Sequence, residues 1–242
     1  MTSAEAVRYA YLAAMKRWHR HSIDGLERLT APGPKLVVAY HGRGIPLDLA
    51  LVGEEIRKRS GYLPRNAVHA GLWAIPKARP LLEAAGCVPG DGPELRAALG
   101  RGEVVFIAPG GTHEGLRTFR ERYRVDWGKR RGYLRLAQEL GVPLIPLATA
   151  GVDDRFIGLN DGHALGKALG LPARWPFWLA LGPFGLYPFT ADFPVRFHTA
   201  VGTPIDLSSL PSIDPDWLER AHAAVTAEVQ RLLDRARAEV SP

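Results

Sequence analysis

Apolar positions along the chain fall into two patterns. Short, nearly continuous apolar runs cover 35–40 (KLVVAY), 65–70 (RNAVHA), the brief 87–89 (CVP), 103–109 (EVVFIAP) and 142–151 (VPLIPLATAG), with a late one inside 194–205. Runs of that length, rich in β-branched residues, predict strands, and continuous apolarity is what a strand buried on both faces shows. Between them, apolar residues return every third or fourth position, which predicts helices. One or two lie within 3–29, where Val7, Tyr11, Ala14, Met15 and Trp18 recur; others cover 46–60, part of 71–86, 92–102 and 128–141. The last spans 214–238, with Asp214 as N-cap, Pro215 at its first position and a stripe of Leu218, Ala221, Val225, Val229 and Leu232. Pro46 opens one helix, while Gly100 and Gly141 close two others. Residues 152–192 keep neither period and read as irregular and aromatic-rich.

Strands alternating with helices predict the α/β class, a mixed central sheet flanked by helices. No repeat or low-complexity linker divides the 242 residues, so one domain covers 1–242. It comprises a helical segment (1–30) packed on a core (35–205) and closed by the C-terminal helix (214–238).

Two strands stop abruptly in polar groups. After 35–40 the chain reads His41-Gly-Arg-Gly-Ile-Pro-Leu-Asp48, with Asp48 in the first helical turn. Ligands of open α/β sheets bind at the carboxyl ends of strands, where His41 falls. A histidine held by a carboxylate has its tautomer fixed and its other nitrogen free to take a proton. A structural histidine beside a helix-start aspartate would look the same. After 103–109 comes Gly110-Gly111-Thr-His-Glu114-Gly-Leu-Arg117. Two glycines there either expose N–H groups to an anion or oxyanion, or make a plain tight turn. It is neither a Walker A loop nor a Rossmann fingerprint, and no Gly-x-Ser-x-Gly elbow is present. His41, Asp48, His113 and Glu114 show no metal-ligand spacing, so no metal is expected.

Charge narrows the partners. The net charge is +6, which suggests an anionic one: nucleic acid, a phosphorylated ligand or a membrane surface. Arg117, Arg120, Arg122, Arg124, Lys129, Arg130, Arg131 and Arg135 form a basic run that suits phosphate but equally makes a solvated face. One cysteine, Cys87, rules out a disulfide framework. No signal peptide or spanning helix is evident. The aromatic residues Trp175, Phe177, Trp178, Phe184, Tyr187 and Phe189 read either as core wall or as a loop at a membrane interface. The first helix, with Arg8, Lys16, Arg17 and Arg20 between its apolar positions, reads either as core-packed or as interfacial.

In order, YHGRGIPLD, GCVPG (86–90), APGGTHEGLR and VPLIPLATAG resemble the blocks of the glycerolipid (lysophospholipid) acyltransferase superfamily, nearest its monoacylglycerol/diacylglycerol-acyltransferase-like branch. The resemblance covers about residues 35–205. It implies transfer of a fatty acyl group from a thioester, acyl-CoA or acyl carrier protein, to a hydroxyl of a lysophospholipid or monoacylglycerol-like lipid. The thioester is a co-substrate, and no cofactor is implied. His41 is then the general base and Asp48 its support; Glu114 and Arg117 match the block associated with the acceptor; Gly110 and Gly111 are candidates for oxyanion contacts. Val142, Pro143 and Pro146 match a structural block. The partners are the acyl thioester donor, a lipid acceptor and an anionic membrane surface, with no nucleic acid expected, which places the protein in the cytoplasm at the membrane periphery. The alternatives are the same chemistry on a non-glycerolipid amphiphile, or a non-catalytic basic module for lipid or nucleic acid. Six residues separate His41 from Asp48, more than the family's usual four, so contact between them is for structure to decide. The second block lacks the arginine of relatives with phosphorylated acceptors, which favours a neutral or unusual acceptor.

Overall fold

The computed structural model describes residues 3–75, 77–90, 92–172, 176–207 and 216–240. In chain order it contains α1 (Ser3–Trp18), β1 (Ser22–Asp24), α2 (Leu26–Thr30), β2 (Lys35–Ala39), α3 (Leu47–Ser60), β3 (Arg65–Val68), α4 (Arg79–Ala84) and β4 (Cys87–Pro89). Then come α5 (Pro93–Gly100), β5 (Val104–Ile107), α6 (Gly111–Gly115), α7 (Gly132–Leu140), β6 (Leu144–Ala150), β7 (Ile157–Gly158), α8 (Gly162–Ala168), β8 (Ala180–Gly182), β9 (Gly185–Leu186), β10 (His198–Val201) and α9 (Trp217–Val240).

The main sheet runs β1-β10-β6-β2-β5-β3-β4. All its neighbours are parallel except β10 against β6, so the sheet is mixed, as the alternation of elements predicts. Alternate side chains serve opposite faces. Val37, Ala39, Val104, Phe106, Ile145 and Leu147 pack with Leu26 and Leu29 of α2 and with Leu49, Val52 and Ile56 of α3. Leu36, Val38, Val105, Leu144 and Ala148 join the larger core with Leu95 of α5, Leu134 of α7 and Val225, Val229 and Leu233 of α9. β2, β5 and β6 are neighbours and parallel, so the loops that follow them lie side by side at one edge.

Four departures have local causes. The 3–29 segment is one helix, a short strand and a second helix, because Arg20 and Gly25 take left-handed backbone (φ 45° and 80°). The stripe Val7, Tyr11, Trp18 of α1 faces outward. Arg8 to Glu54 (2.8 Å) and Lys16 to Glu55 (2.9 Å) set the rotation of α1 on α3, and Leu12 is the residue buried. The 128–141 helix begins only at Gly132, since Gly128 has φ 52°. Finally, 152–192 holds α8, capped by Asp161 through the N–H groups of His163 and Ala164, and a second antiparallel sheet, β7-β8-β9. Strands of two or three residues broken by glycine and proline are too short for a period to show. Asp214, Pro215 and Trp175 lie outside the described residues.

Candidate active site

Three polar turns meet at the carboxyl edge: His41 after β2, Gly110–Arg117 after β5, and Val152–Arg155 after β6. Glycines permit the approach. A Cβ on Gly42 would fall 2.3 Å from Val152 Cγ2, and one on Gly115 would fall 2.8 Å from both Cε1 and Nδ1 of His41. The Gly44 N–H donates to the Gly115 carbonyl at 2.9 Å.

His41 is half-buried. Its Nδ1 lies 2.8 Å from the Gly42 carbonyl, so Nδ1 carries the proton and Nε2 keeps its lone pair. Nε2 has no hydrogen-bond partner among the described residues. Burial pulls the imidazole pKa below its ordinary value, outweighing backbone hydrogen bonding that raises it, so the ring is neutral near pH 7.

No hydrogen bond or ion pair joins Asp48 to His41. The Asp48 carboxyl is fully buried at the start of α3, and neither oxygen has a hydrogen-bond partner within ordinary geometry. Burial pushes its pKa up to about 6, opposed by the charge of Arg155. Six residues lie between the two, and among them Arg43 is wholly buried. Its guanidinium donates to the carbonyls of Phe156 (3.1 Å) and Thr118 (2.9 Å). Arg155 staples the same loop by donating to the Ile45 carbonyl (2.7 Å), while its Nε donates to Asp192 (2.6 Å).

Glu114 is buried inside the frame. Its two oxygens accept the N–H groups of His41 (3.1 Å) and Asp126 (2.7 Å), which ties the second turn to the first. Burial raises its pKa to about 8 despite those donors. Gly110 packs on this carboxyl, where a Cβ would sit 1.9 Å from Oε2. The Gly111 N–H is already given to the Ala108 carbonyl at 3.0 Å. Arg117 is also buried, donating to the Arg124 carbonyl (2.6 Å) and to the Tyr40 hydroxyl, and standing 3.9 Å from Asp153. Tyr40 in turn donates to Asp153 at 2.5 Å. Arg117 lines a small cleft with His113, Glu121, Arg124, Asp126 and Asp161.

The basic run divides. Arg122, Arg124 and Arg131 pair with Asp154, Asp126 and Glu219, and Arg130 donates to the Gly110 carbonyl at 3.1 Å. Arg120, Lys129 and Arg135 are exposed. Arg43, Asp153 and Arg155 were missed as parts of the site. The signal for the last two was Asp-Asp-Arg directly after the apolar run 142–151, at the same sheet edge as the other two turns.

A mixed sheet with a histidine and a Gly-Gly turn at its carboxyl edge is the arrangement that the resemblance to acyltransferases implies. Residues 20–150 match the model of the Acyltransferase family, and the chain belongs to that family. Among curated relatives, the "DGAT1/2-independent enzyme synthesizing storage lipids" of Bos taurus is 30% identical over 215 residues, 88% of this chain and 60% of that protein. The Homo sapiens protein of the same name is also 30% identical over 215 residues, 62% of its length. The chain therefore spans about three fifths of these relatives. The crystal structure of the 1-acyl-sn-glycerophosphate (LPA) acyltransferase PlsC from Thermotoga maritima superposes with a TM-score of 0.57 at 18% identity, over 100% of this chain and 86% of that one; it shows the shared fold.

Proposed function

We propose that the protein transfers a fatty acyl group from a thioester, acyl-CoA or an acyl carrier protein, to a hydroxyl of a lysophospholipid or monoacylglycerol-like lipid at a membrane surface. The observation that carries this reading is the His41 ring, with Nδ1 held by Gly42, Cε1 and Nδ1 close to Gly115, and Nε2 without a partner among the described residues. Nε2 takes the proton of the acceptor hydroxyl as its oxygen attacks the thioester carbonyl. The tetrahedral intermediate then expels the thiolate, which takes the proton back from the imidazolium, leaving ester and free thiol. Such a base contributes a rate factor of about 10²–10⁴. In this reading Asp48 supports the imidazolium as it forms by its charge, without a hydrogen bond in this arrangement. Of the two glycines only the Gly110 N–H is retained as an oxyanion donor. Glu114 and Arg117 act on the acceptor through the walls they hold, with Arg117 also lining the cleft.

The names of the storage-lipid relatives support a neutral glycerolipid acceptor, as does the missing arginine in GCVPG. The test is thiol release from acyl-CoA against a panel of acceptors: monoacylglycerol, diacylglycerol, lysophosphatidate and a non-glycerolipid amphiphile. His41→Ala is expected to lose about 10²–10⁴ in rate with an unchanged melting temperature. Full turnover in that variant would remove His41 from the mechanism.

A further inference from the structure

The second sheet carries an apolar face. Ile157 stands opposite Leu181, and Leu181 opposite Leu186, so three aliphatic side chains form a row across β7, β8 and β9. All three are exposed. The other side of this sheet is buried on Phe156, Trp178 and Tyr187. At and beyond the β8–β9 turn, Phe184 is 80% exposed and Phe189 93%. Residues 176–191 contain no Asp, Glu, Lys or Arg. An isolated exposed leucine needs no explanation; an uncharged stretch with a cross-strand aliphatic row and two bare phenylalanines does.

The face is joined to the active-site loop. Arg43 donates to the Phe156 carbonyl, and Gly44 faces Phe156 and Tyr187, where a Cβ would lie 3.8 Å from each ring. Cations stand at both ends of the uncharged stretch. At one end the Phe177 N–H donates to the Gly162 carbonyl of α8, which also carries exposed Lys167. At the other, Trp18 Nε1 donates to the Asp192 carbonyl, which brings Arg17, Arg20 and the exposed aromatics Tyr11 and Trp18 of α1 alongside. Neither arginine nor the lysine makes an ion pair among the described residues. A second copy of the chain would oppose these cations with its own, whereas anionic head groups complement them.

We propose that this face seats on an anionic lipid bilayer, with Phe184 and Phe189 inserted among the acyl chains, the aliphatic row at the boundary and the flanking cations on the head groups. The proposal deepens the lipid-acyltransferase reading and rests on it for its purpose: the loop that holds His41 is then presented to the membrane, and the acceptor reaches it from the lipid.

The test is co-sedimentation with phosphatidylcholine vesicles with and without phosphatidylglycerol, on the wild type and on Phe184→Ser/Phe189→Ser. Both side chains are exposed, so the double variant should melt as the wild type does. The wild type should bind better as phosphatidylglycerol rises and more weakly as salt rises. The double variant should lose at least about tenfold in partition for each phenylalanine. Turnover of a vesicle-borne acceptor should fall with it, while turnover of a short-chain, monomerically dissolved acceptor should not. Equal vesicle binding by both proteins overturns the proposal. So does a wild-type dimer that the double substitution dissolves without affecting vesicle binding. If no acceptor is turned over by the wild type, the enzymatic reading fails alone, and the vesicle result still decides the docking face.

Discussion

Glycine 115 shows how much one missing methyl group does here. It lies in α6, whose backbone alanine accepts without strain, yet an alanine Cβ would sit 2.8 Å from the imidazole of His41. The ring cannot yield without leaving the Gly42 carbonyl that fixes its tautomer. Gly115→Ala is therefore expected to turn His41 out of line, lowering kcat by about 10²-fold, the usual cost of a displacement near 1 Å. Its melting temperature should stay close to that of the wild type. Steady-state thiol release beside a thermal melt measures both; an unchanged kcat would mean that the ring moves freely. His41 and Gly115 were both legible as polar-turn residues, but their contact was not. Nothing in the spacing says that the second turn folds back onto the first. The same holds for Asp48: its place in the first helical turn is plain from Pro46, but nothing in the spacing says whether its carboxyl bonds to His41.

At the scale of elements, long ones were readable and short ones were not. β2, β5 and β6 are continuous apolar runs, and α9 shows its stripe over about four turns, because burial on both faces or one face repeats often enough to leave a pattern. β1, β7, β8 and β9 have two or three residues each, so tertiary pairing rather than local pattern makes them strands. The outward stripe of α1 reflects a similar limit: the period was right, but Glu54 and Glu55 on another helix chose the face. The α9 stripe makes a testable contrast with the α6 case. Val229 and Leu233 have no exposed surface and pack on the sheet face that also holds Leu144 and Ala148. Leu233→Ala should cost about 2–5 kcal/mol in urea denaturation, from lost transfer energy and the cavity left behind. Per folded molecule the rate should remain that of the wild type, because α9 carries none of the residues assigned to the transfer; a matching fall in kcat would tie α9 to the site.

Across the whole molecule, buried titratable groups set how stability follows pH. Buried His21 has its pKa lowered to about 3 and so stays neutral, contributing stability that is present above about pH 6.5 and lost toward acid. Glu114 works in the opposite sense. Its folded pKa of about 8 lies above the ordinary 4.5, so the folded state holds a proton that the unfolded chain releases. Its contribution is full below about pH 4 and declines as pH rises through about 8. Asp48, raised to about 6, adds a similar decline at lower pH. The gain from His21 on leaving acid, between about pH 3 and 6.5, is therefore opposed by Asp48 up to about pH 6 and by Glu114 up to about pH 8, and of these three groups Glu114 alone sets the decline above about pH 6.5. Glu114→Gln separates the two parts. Glutamine offers one acceptor oxygen to two backbone N–H groups, so near pH 5 the variant should be less stable by about 1–3 kcal/mol. It has no proton to lose, so its profile should be flatter between about pH 4.5 and 8 and the gap should narrow across that window. Guanidinium denaturation across that range measures the gap directly. A gap that widened with pH would mean that Glu114 is ionised throughout, its charge held by the N–H groups of His41 and Asp126.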